Sequence, residues 1–556
     1  MSMKHLVYFF ILVIGVFLGG CEKTEHYSLP PKYDFQPNIV WITCEDMSPR
    51  LGCYGDSIAK SPNIDNLAAQ GVRYTNAFSV SGVCAPSRSA LITGMYPTTI
   101  GSMHMRTMTR TSAIDKITDP DLLAIPTYEA VPSPDVKCFT EFLRARGYYC
   151  SNNSKEDYQF KRPVTAWDES SKRAHWRNRD VGQPFFAVFN FTITHESQIW
   201  IRAKDSLYTD PSKVVVPPYY PDTPIIRKDI ARHYDNIALL DRQVDGLLDQ
   251  LKEDGLMDST IIFFFSDHGD GLPRAKRWIY DSGIKVPLII RYPDLWGAGT
   301  INDNLISFID FAPTVLSLAD VEIPGHMQGR AFAGQQKAVD REYIFAAKDR
   351  MDPAMDNRRA VRDKHFKYIK NYMPERPYVQ FLPYRDQMDL MKELIKYNKE
   401  GRLDEVQSLW FMQCKPSEEL YDITVDPYEI NNLAGHSDYK DVLIKLRNEH
   451  LIWKEETNDW GLIPETELIK KLWPPDGIQP VTEVPKIIMK QIGSGDSVSV
   501  RLTCSTEGAS IGYKINEKDH WLLYSKPILL KRDIVLSVQS VRLGFKPSDI
   551  VVEKLN

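Results

Sequence analysis

Thr260-Ile261-Ile262-Phe263-Phe264-Phe265-Ser266, running into Asp267-His268-Gly269-Asp270, is the stretch that decides the fold. An unbroken apolar run of this length, closed by polar residues, suits a strand buried on both faces. Such strands belong to parallel sheets covered by helices. Those sheets place ligands beyond the carboxyl ends of their strands. Here that end carries a carboxylate and an imidazole. The pattern recurs upstream, where Pro37-Asn38-Ile39-Val40-Trp41-Ile42-Thr43-Cys44 ends in Glu45-Asp46. Adjacent acids at a buried strand end repel each other unless a cation intervenes, so Glu45 and Asp46 are candidate metal ligands. Taken alone, a turn or helix-capping pair fits them equally well.

Working outward, residues 72–79, 148–150, 185–192 and 286–292 read as further strands. Helical stretches fall at 61–71, 136–147 and 228–254. The first has Ser61 at the N-cap, Pro62 in the first turn and Gly71 at its end. The last carries an apolar stripe of Ile230, Tyr234, Ile237, Leu240, Val244, Leu247 and Leu251. Alternation over about 300 residues predicts an α/β domain over 36–335 with a mostly parallel central sheet flanked by helices. From 336 to 475 strand-like pieces such as 365–370 mix with helical ones, about 384–412 and 438–457, which predicts a smaller α+β subdomain. Past the break at Trp473-Pro474-Pro475, short alternating strands over 485–556 predict a small β-sandwich.

Cys84-Ala85-Pro86-Ser87-Arg88, followed by Ser89-Ala90-Leu91-Ile92-Thr93-Gly94, has the form of a loop entering a helix. A cysteine there meets the positive end of the helix dipole, which favours a thiolate and a neighbouring anion. Arg88 lies about one turn on, as an anion clamp. A buried cysteine in a turn fits the same spacing.

Composition narrows the class. The chain has 556 residues, 43% hydrophobic and 25% charged, with a net charge of −5. That is globular and multidomain, with no electrostatic reason to expect a nucleic-acid partner. A polyanionic substrate would need a local basic patch. Lys4, an apolar run over 6–18 and Leu18-Gly19-Gly20-Cys21 form an export signal over 1–20. Its ending resembles a bacterial lipobox. That predicts lipidation of Cys21, a tether over 21–35, and an exported lipoprotein held to a Gram-negative membrane on its periplasmic side or at the cell surface. The eight cysteines show no paired framework and are expected to be mostly free.

The Cys-Ala-Pro-Ser-Arg stretch and its helix resemble the signature of the formylglycine-dependent type I sulfatases, of the alkaline phosphatase superfamily. Residues 62–68, Ser266-Asp267-His268-Gly269, 276–287 and Glu419-Leu420-Tyr421-Asp422 resemble the family in order and spacing. The likeness covers about 36–460 and is strongest to heparan N-sulfatase-like and bacterial polysaccharide sulfatases. The last 70 residues more faintly resemble the β-sandwich appended to chitobiases.

The resemblance implies an alkaline phosphatase-like fold. It also implies that a maturation enzyme oxidises Cys84 to formylglycine (3-oxoalanine), whose hydrate attacks sulfur. Calcium would be held by Glu45, Asp46, Asp267, His268 and the modified Cys84. Glu45 stands where most members have Asp. His268 stands where many have Asn, which leaves open a role beside the ligands. By the same likeness Arg88 holds the hydrate, Lys155 is a catalytic residue of the network that activates it, Lys276 contacts sulfate, and His195 protonates the leaving group. The family's Lys-x-His reads Lys155-Glu156-Asp157 here, so one histidine is missing and Asp157 is a candidate to orient Lys155 or touch substrate. His104, Arg106, Arg350 and Asp352 are further substrate candidates. Unaided by the likeness, a lone lysine reads as a solvated charge and a lone histidine as structural.

The expected activity is hydrolysis of sulfate esters on a sulfated oligo- or polysaccharide, whether a marine algal polysaccharide such as ulvan or a glycosaminoglycan. The alternative is an N-sulfatase acting on heparan-type sugars. A phosphoesterase fits less well, because those relatives usually carry Ser or Thr as nucleophile. A non-catalytic glycan-binding lipoprotein is the remaining reading.

Overall fold

The computed structural model describes residues 32–109, 117, 119–491, 496–516 and 520–555. The export signal, Cys21 and residues 21–31 of the expected tether lie outside these residues. The end of that tether is docked on the protein: the Tyr33 hydroxyl donates to Asp294 at 2.9 Å and its ring packs on the core.

The large sheet is built from β1 (Asn38–Cys44), β2 (Val72–Phe78), β3 (Tyr149–Asn153), β4 (Glu169–Ser170), β5 (Phe185–Phe191), β6 (Thr260–Ser266), β7 (Lys285–Arg291) and β8 (Ile301–Ser307). Their spatial order is β4-β3-β5-β1-β6-β7-β2-β8. Neighbours run parallel except β7, which is antiparallel to both β6 and β2. The sheet is thus mostly parallel, with one inverted strand that its apolar sequence could not reveal.

The period of two in each strand separates two cores. Val40, Ile42, Phe185, Phe189, Ile262 and Phe264 face one core with the long helix Pro224–Glu253. Ile39, Trp41, Phe186, Ile261, Phe263 and Phe265 face the other. There they meet Leu91 and Ile92 of helix Cys84–Thr93, Leu143 of helix Phe139–Ala145 and Phe311 of helix Phe311–Leu318. Burying each of these large side chains contributes about 1.5–3 kcal/mol. The continuous apolar run of β6 is therefore a strand with helices on both sides.

Beyond it, β9 (Ile344–Lys348), β10 (Arg358–Arg362), β11 (Phe366–Asn371) and β12 (Glu418–Asp422) form an antiparallel sheet in the order β12-β11-β10-β9. Helix Lys440–Glu456 packs on it through Leu443 and Leu446. The expected helix over 384–412 is shorter, Asp389–Lys399. Gly401, at φ +65°, turns the chain before Asp404 caps a separate short helix.

A two-layer sandwich closes the chain. It contains β13 (Lys486–Gln491), β14 (Ser497–Thr503), β15 (Ser510–Ile515), β16 (Leu522–Leu523), β17 (Ile528–Lys531), β18 (Val535–Val541) and β19 (Val551–Lys554). The layers β13-β14-β17 and β16-β15-β18-β19 enclose Val498, Val500, Leu502, Leu536 and Val538.

Candidate active site

β1 lies between β5 and β6, with Cys44 in register with Ser266 on one side and Phe191 on the other. Parallel pairing in this register delivers Glu45 and Asp46 beside Asp267 and His268. The Asp46 N–H donates to Asp267 Oδ1 at 3.2 Å. Asp46 has φ +56°, a left-handed turn that brings its carboxylate back over the strand ends. Gly271 makes room for it, since a Cβ at that position would come within 3.1 Å of the Asp46 side chain.

All four residues are buried. His268 Nε2 lies 3.0 Å from Asp46 Oδ1 and 3.6 Å from Asp267 Oδ1. Asp46, Asp267 and His268 each offer an atom to one small cluster; Asp46, His195 and Glu196 form a second that shares Asp46.

Cys84 is the first residue of helix Cys84–Thr93 and is buried beside Met105 and Met351. Burial, followed by the Asp157 charge, pushes its thiol up, although Lys155 and Lys276 oppose the shift. This direction runs against the thiolate that a helix start alone would favour. Desolvation opposes the dipole at the helix start and favours the neutral thiol of the unmodified side chain.

Arg88, one turn later, donates from Nε to Asp267 Oδ2 at 3.1 Å and from a terminal nitrogen to Asn190 Oδ1 at 2.7 Å. Its other terminal nitrogen is 3.7 Å from Glu45 Oε1. Lys155 pairs with Glu45, and its Nζ is 4.0 Å from Asp157. Lys276 donates to Asp46 Oδ2 at 2.6 Å and lies 3.3 Å from Glu196. Burial alone would push Asp46 up, but Lys276, His195 and His268 hold it well below the usual carboxylate range. Lys276 is held above its ordinary value by Asp46 and Glu196, against its own burial.

The donor set fits a hard divalent cation. Asp46 and Asp267 converge with carboxylate oxygens, as calcium prefers, and Glu45 lies beside them on the Arg88 guanidinium. Glu45 Oε1 is met by the Lys155 and Arg88 cations and Asp46 Oδ1 by His268 Nε2, but none of the three buried atoms makes a hydrogen bond of good geometry. Buried polar atoms are seldom left so.

His195 follows β5. Its Nδ1 accepts the Ser197 N–H at 3.3 Å and lies 2.8 Å from Ser197 Oγ. Nε2 is then the nitrogen that carries hydrogen in the neutral ring. Burial, then Lys276, lower its pKa.

The substrate candidates separate into two groups. Arg106 pairs with Asp352 at 2.9 Å and remains partly exposed, close enough to Cys84 and Asp157 to feel their charge. Arg350 instead spends its donors inside the protein: on Glu465, twice at 2.6 Å, and on the carbonyls of Met105 and Asp352. It ties the loop of Met105 to the subdomain. His104 is buried, accepts the Arg350 N–H at 3.3 Å and is kept neutral by burial, which lowers its pKa to about 4. It lines a cavity of about 430 Å³ with Asn357 and Arg376.

Three residues were not anticipated. Glu196 accepts two bonds from Arg277, at 2.9 and 2.5 Å, and its own N–H donates to Asp46 at 2.6 Å. Asn190 anchors Arg88. Glu196 and Arg277 are sequence neighbours of His195 and Lys276, and Asn190 sits in register with Thr43. That register was the available signal for Asn190.

These positions define a hydrolase site of the alkaline phosphatase superfamily, with a cysteine at a helix start, an arginine one turn on and acids from two strand ends. The chain belongs to the sulfatase family: the sulfatase model matches residues 37–321, and the model described as N-sulphoglucosamine sulphohydrolase, C-terminal, matches 273–409. It is 44% identical to an ulvan-active sulfatase of Formosa agariphila, covering 95% of this chain and 92% of that one. It is 25% identical to the human N-sulphoglucosamine sulphohydrolase, covering 79% and 94%. The fold matches the solved structure of BT4656 in complex with D-glucosamine-2-N,6-O-disulfate, with TM-score 0.54 and 18% identity over 78% of this chain and 99% of that one. The chain is an enzyme that hydrolyses sulfate esters.

Proposed function

We propose that the enzyme removes ester-linked sulfate from an acidic polysaccharide of the ulvan type, after Cys84 has been converted to formylglycine. The observation that carries this reading is the convergence of Arg88, Lys155, Lys276 and His195 on Cys84 and the acids at the ends of β1 and β6. The 44% identity to an ulvan-active sulfatase over nearly its whole length supports the substrate class.

Hydrated formylglycine would supply the oxygen nucleophile. Calcium at Glu45, Asp46 and Asp267, with His268 at their edge, would supply positive charge beside the sulfuryl group. Arg88, braced by Asp267 and Asn190, orients residue 84. Lys155 and Lys276 hold fixed positive charge where sulfate oxygens gain negative charge in the transition state. Glu196, locked by Arg277, positions both Lys276 and Asp46. His195 carries its proton on Nε2 for the leaving alcohol. Asp157 takes the place of the family histidine near Lys155. Export, lipidation of Cys21 and attachment to a Gram-negative membrane complete the proposal, supported by Leu18-Gly19-Gly20-Cys21.

A second reading, sulfamate hydrolysis, is favoured by the match of 273–409 to the N-sulphoglucosamine sulphohydrolase C-terminal model. Matured enzyme is to be offered O-sulfated ulvan oligosaccharides and N-sulfated glucosamine side by side. Release of sulfate from the first only is the expected result; release from the second only would replace the proposal.

A further inference from the structure

The C-terminal sandwich presents its two outer faces to different surroundings. The β16-β15-β18-β19 layer is seated on the catalytic domain. Ser510 donates to Glu141, Arg144 donates to the Trp521 carbonyl at 2.6 Å, and Gly512 lies so close to Val164 that a Cβ would approach it to 3.0 Å. The hydrophobic cluster lies between the layers, so the outer face of β13-β14-β17 is turned away from that contact.

Cross-strand register fixes what that face carries. Lys486 pairs with Thr503, Ile488 with Arg501, Lys490 with Ser499, and Ser499 with Leu529; Ser497 pairs with Lys531. These are four successive rows, and each row holds one cation: Lys486, Arg501, Lys490 and Lys531. Rows on one face of a sheet are about 7 Å apart, so the cations form a line of about 20 Å. All four are exposed, none makes an ion pair among the described residues, and no carboxylate shares the face. This occurs in a chain whose net charge is −5.

We infer that this face is a second, non-catalytic binding site for a linear sulfated polysaccharide. A line of single cations matches a polymer with anionic groups at sugar-length intervals, and Ser497, Ser499 and Thr503 between them offer hydroxyls to its oxygens. The site would hold the polymer by charge and release it on addition of salt. The identity of the polymer rests on the proposed function; the existence of the site rests on the charge pattern alone.

The test uses the full chain with Cys84→Ala, so that polymer is bound without turnover. Ulvan, dextran sulfate and chemically desulfated ulvan are titrated against this protein. The same titrations are run on a variant also carrying Lys486→Ser, Lys490→Ser, Arg501→Ser and Lys531→Ser. A charge-keeping variant with Lys486→Arg, Lys490→Arg, Arg501→Lys and Lys531→Arg serves as control. The expected result is about tenfold weaker binding of both sulfated polymers by the serine variant, with a shallower salt dependence. Binding is retained by the control and absent with desulfated ulvan. Equal binding by the serine and parent chains overturns the site. So does a serine-sensitive preference for phosphatidylglycerol vesicles over polymer, which would make the face a membrane contact. Sulfate release from a short ulvan oligosaccharide is measured in parallel with Cys84 intact. Loss of that activity in the parent chain with binding preserved refutes the proposed function and leaves the site standing.

Discussion

Two buried clusters of charge in this molecule are built from the same parts and finished differently. In the subdomain, Glu419 on β12 is wholly buried and both of its oxygens are satisfied. Oε1 accepts from Arg358 at 2.6 Å, Asn371 at 2.7 Å and Tyr378 at 2.9 Å, while Oε2 accepts from Tyr280 at 3.0 Å and Tyr421 at 2.9 Å. At the strand ends, Glu45, Asp46, Asp267 and His268 are as deeply buried, yet Glu45 Oε1 meets only the charges of Lys155 and Arg88, and Asp46 Oδ1 only His268 Nε2, without a hydrogen bond of good geometry among the described residues. A closed cluster fixes a structure, and an open one is shaped for something the chain itself does not supply. Glu-Leu-Tyr-Asp therefore reads as a structural signature, and Asp267-His268, under the proposed function, as a functional one.

The sharpest way to break that contrast is to attack the open cluster at its nucleophile. Cys84→Ala is expected to lower sulfate release by about a thousandfold or more while leaving the melting temperature unchanged. Residual turnover near the parent rate would remove Cys84 from the chemistry. Asp46→Asn is next: activity is expected to fall by about a hundredfold. Calcium should raise the melting temperature of the parent but not of this variant. A calcium-dependent shift that survives Asp46→Asn would show that the cation binds elsewhere.

The closed cluster should respond in the opposite currency. Glu419→Ala strands the Arg358 guanidinium and several hydroxyls, a loss of about 3–5 kcal/mol. Denaturant unfolding should show it, and activity per folded molecule should stay near the parent value. A fall in activity without a fall in stability would mean the subdomain ion pair serves the reaction directly.

The division also explains what could be read from the sequence. Acids that end apolar runs are legible, because a buried strand has few reasons to finish in Glu45-Asp46 or Asp267-His268. The sheet class followed from the same runs. The inversion of β7 did not, because alternation and hydrophobicity carry no strand direction. Arg350 read as a substrate clamp because its partner Glu465 is 115 residues away, and nothing local announces that pairing. Asn190 and Glu196 were missed for a related reason: their partners, Arg88, Arg277 and Asp46, are assembled only by strand register and loop packing. Cys84 was placed correctly at a helix start, but its protonation state depends on burial, which the motif does not display.

The smallest effect tests a third carboxylate, closed but poorly compensated. Asp229, on the long helix Pro224–Glu253, accepts the Leu390 N–H at 2.7 Å at the start of helix Asp389–Lys399. It has that backbone bond but no cation in contact among the described residues, and burial raises its pKa to about 7. The folded state therefore holds a proton that the unfolded state releases near pH 4. Folding stability from this group is fully present below that pH and declines as pH rises through about 7. Asp229→Asn keeps an acceptor for Leu390 and removes the charge. Relative to the parent, its melting temperature should rise between pH 5 and pH 8, by about 2 °C at the upper end. A difference that is flat across this range would show that Asp229 is ionised at no expense, and that one backbone hydrogen bond closes a buried carboxylate as well as the donors around Glu419 do.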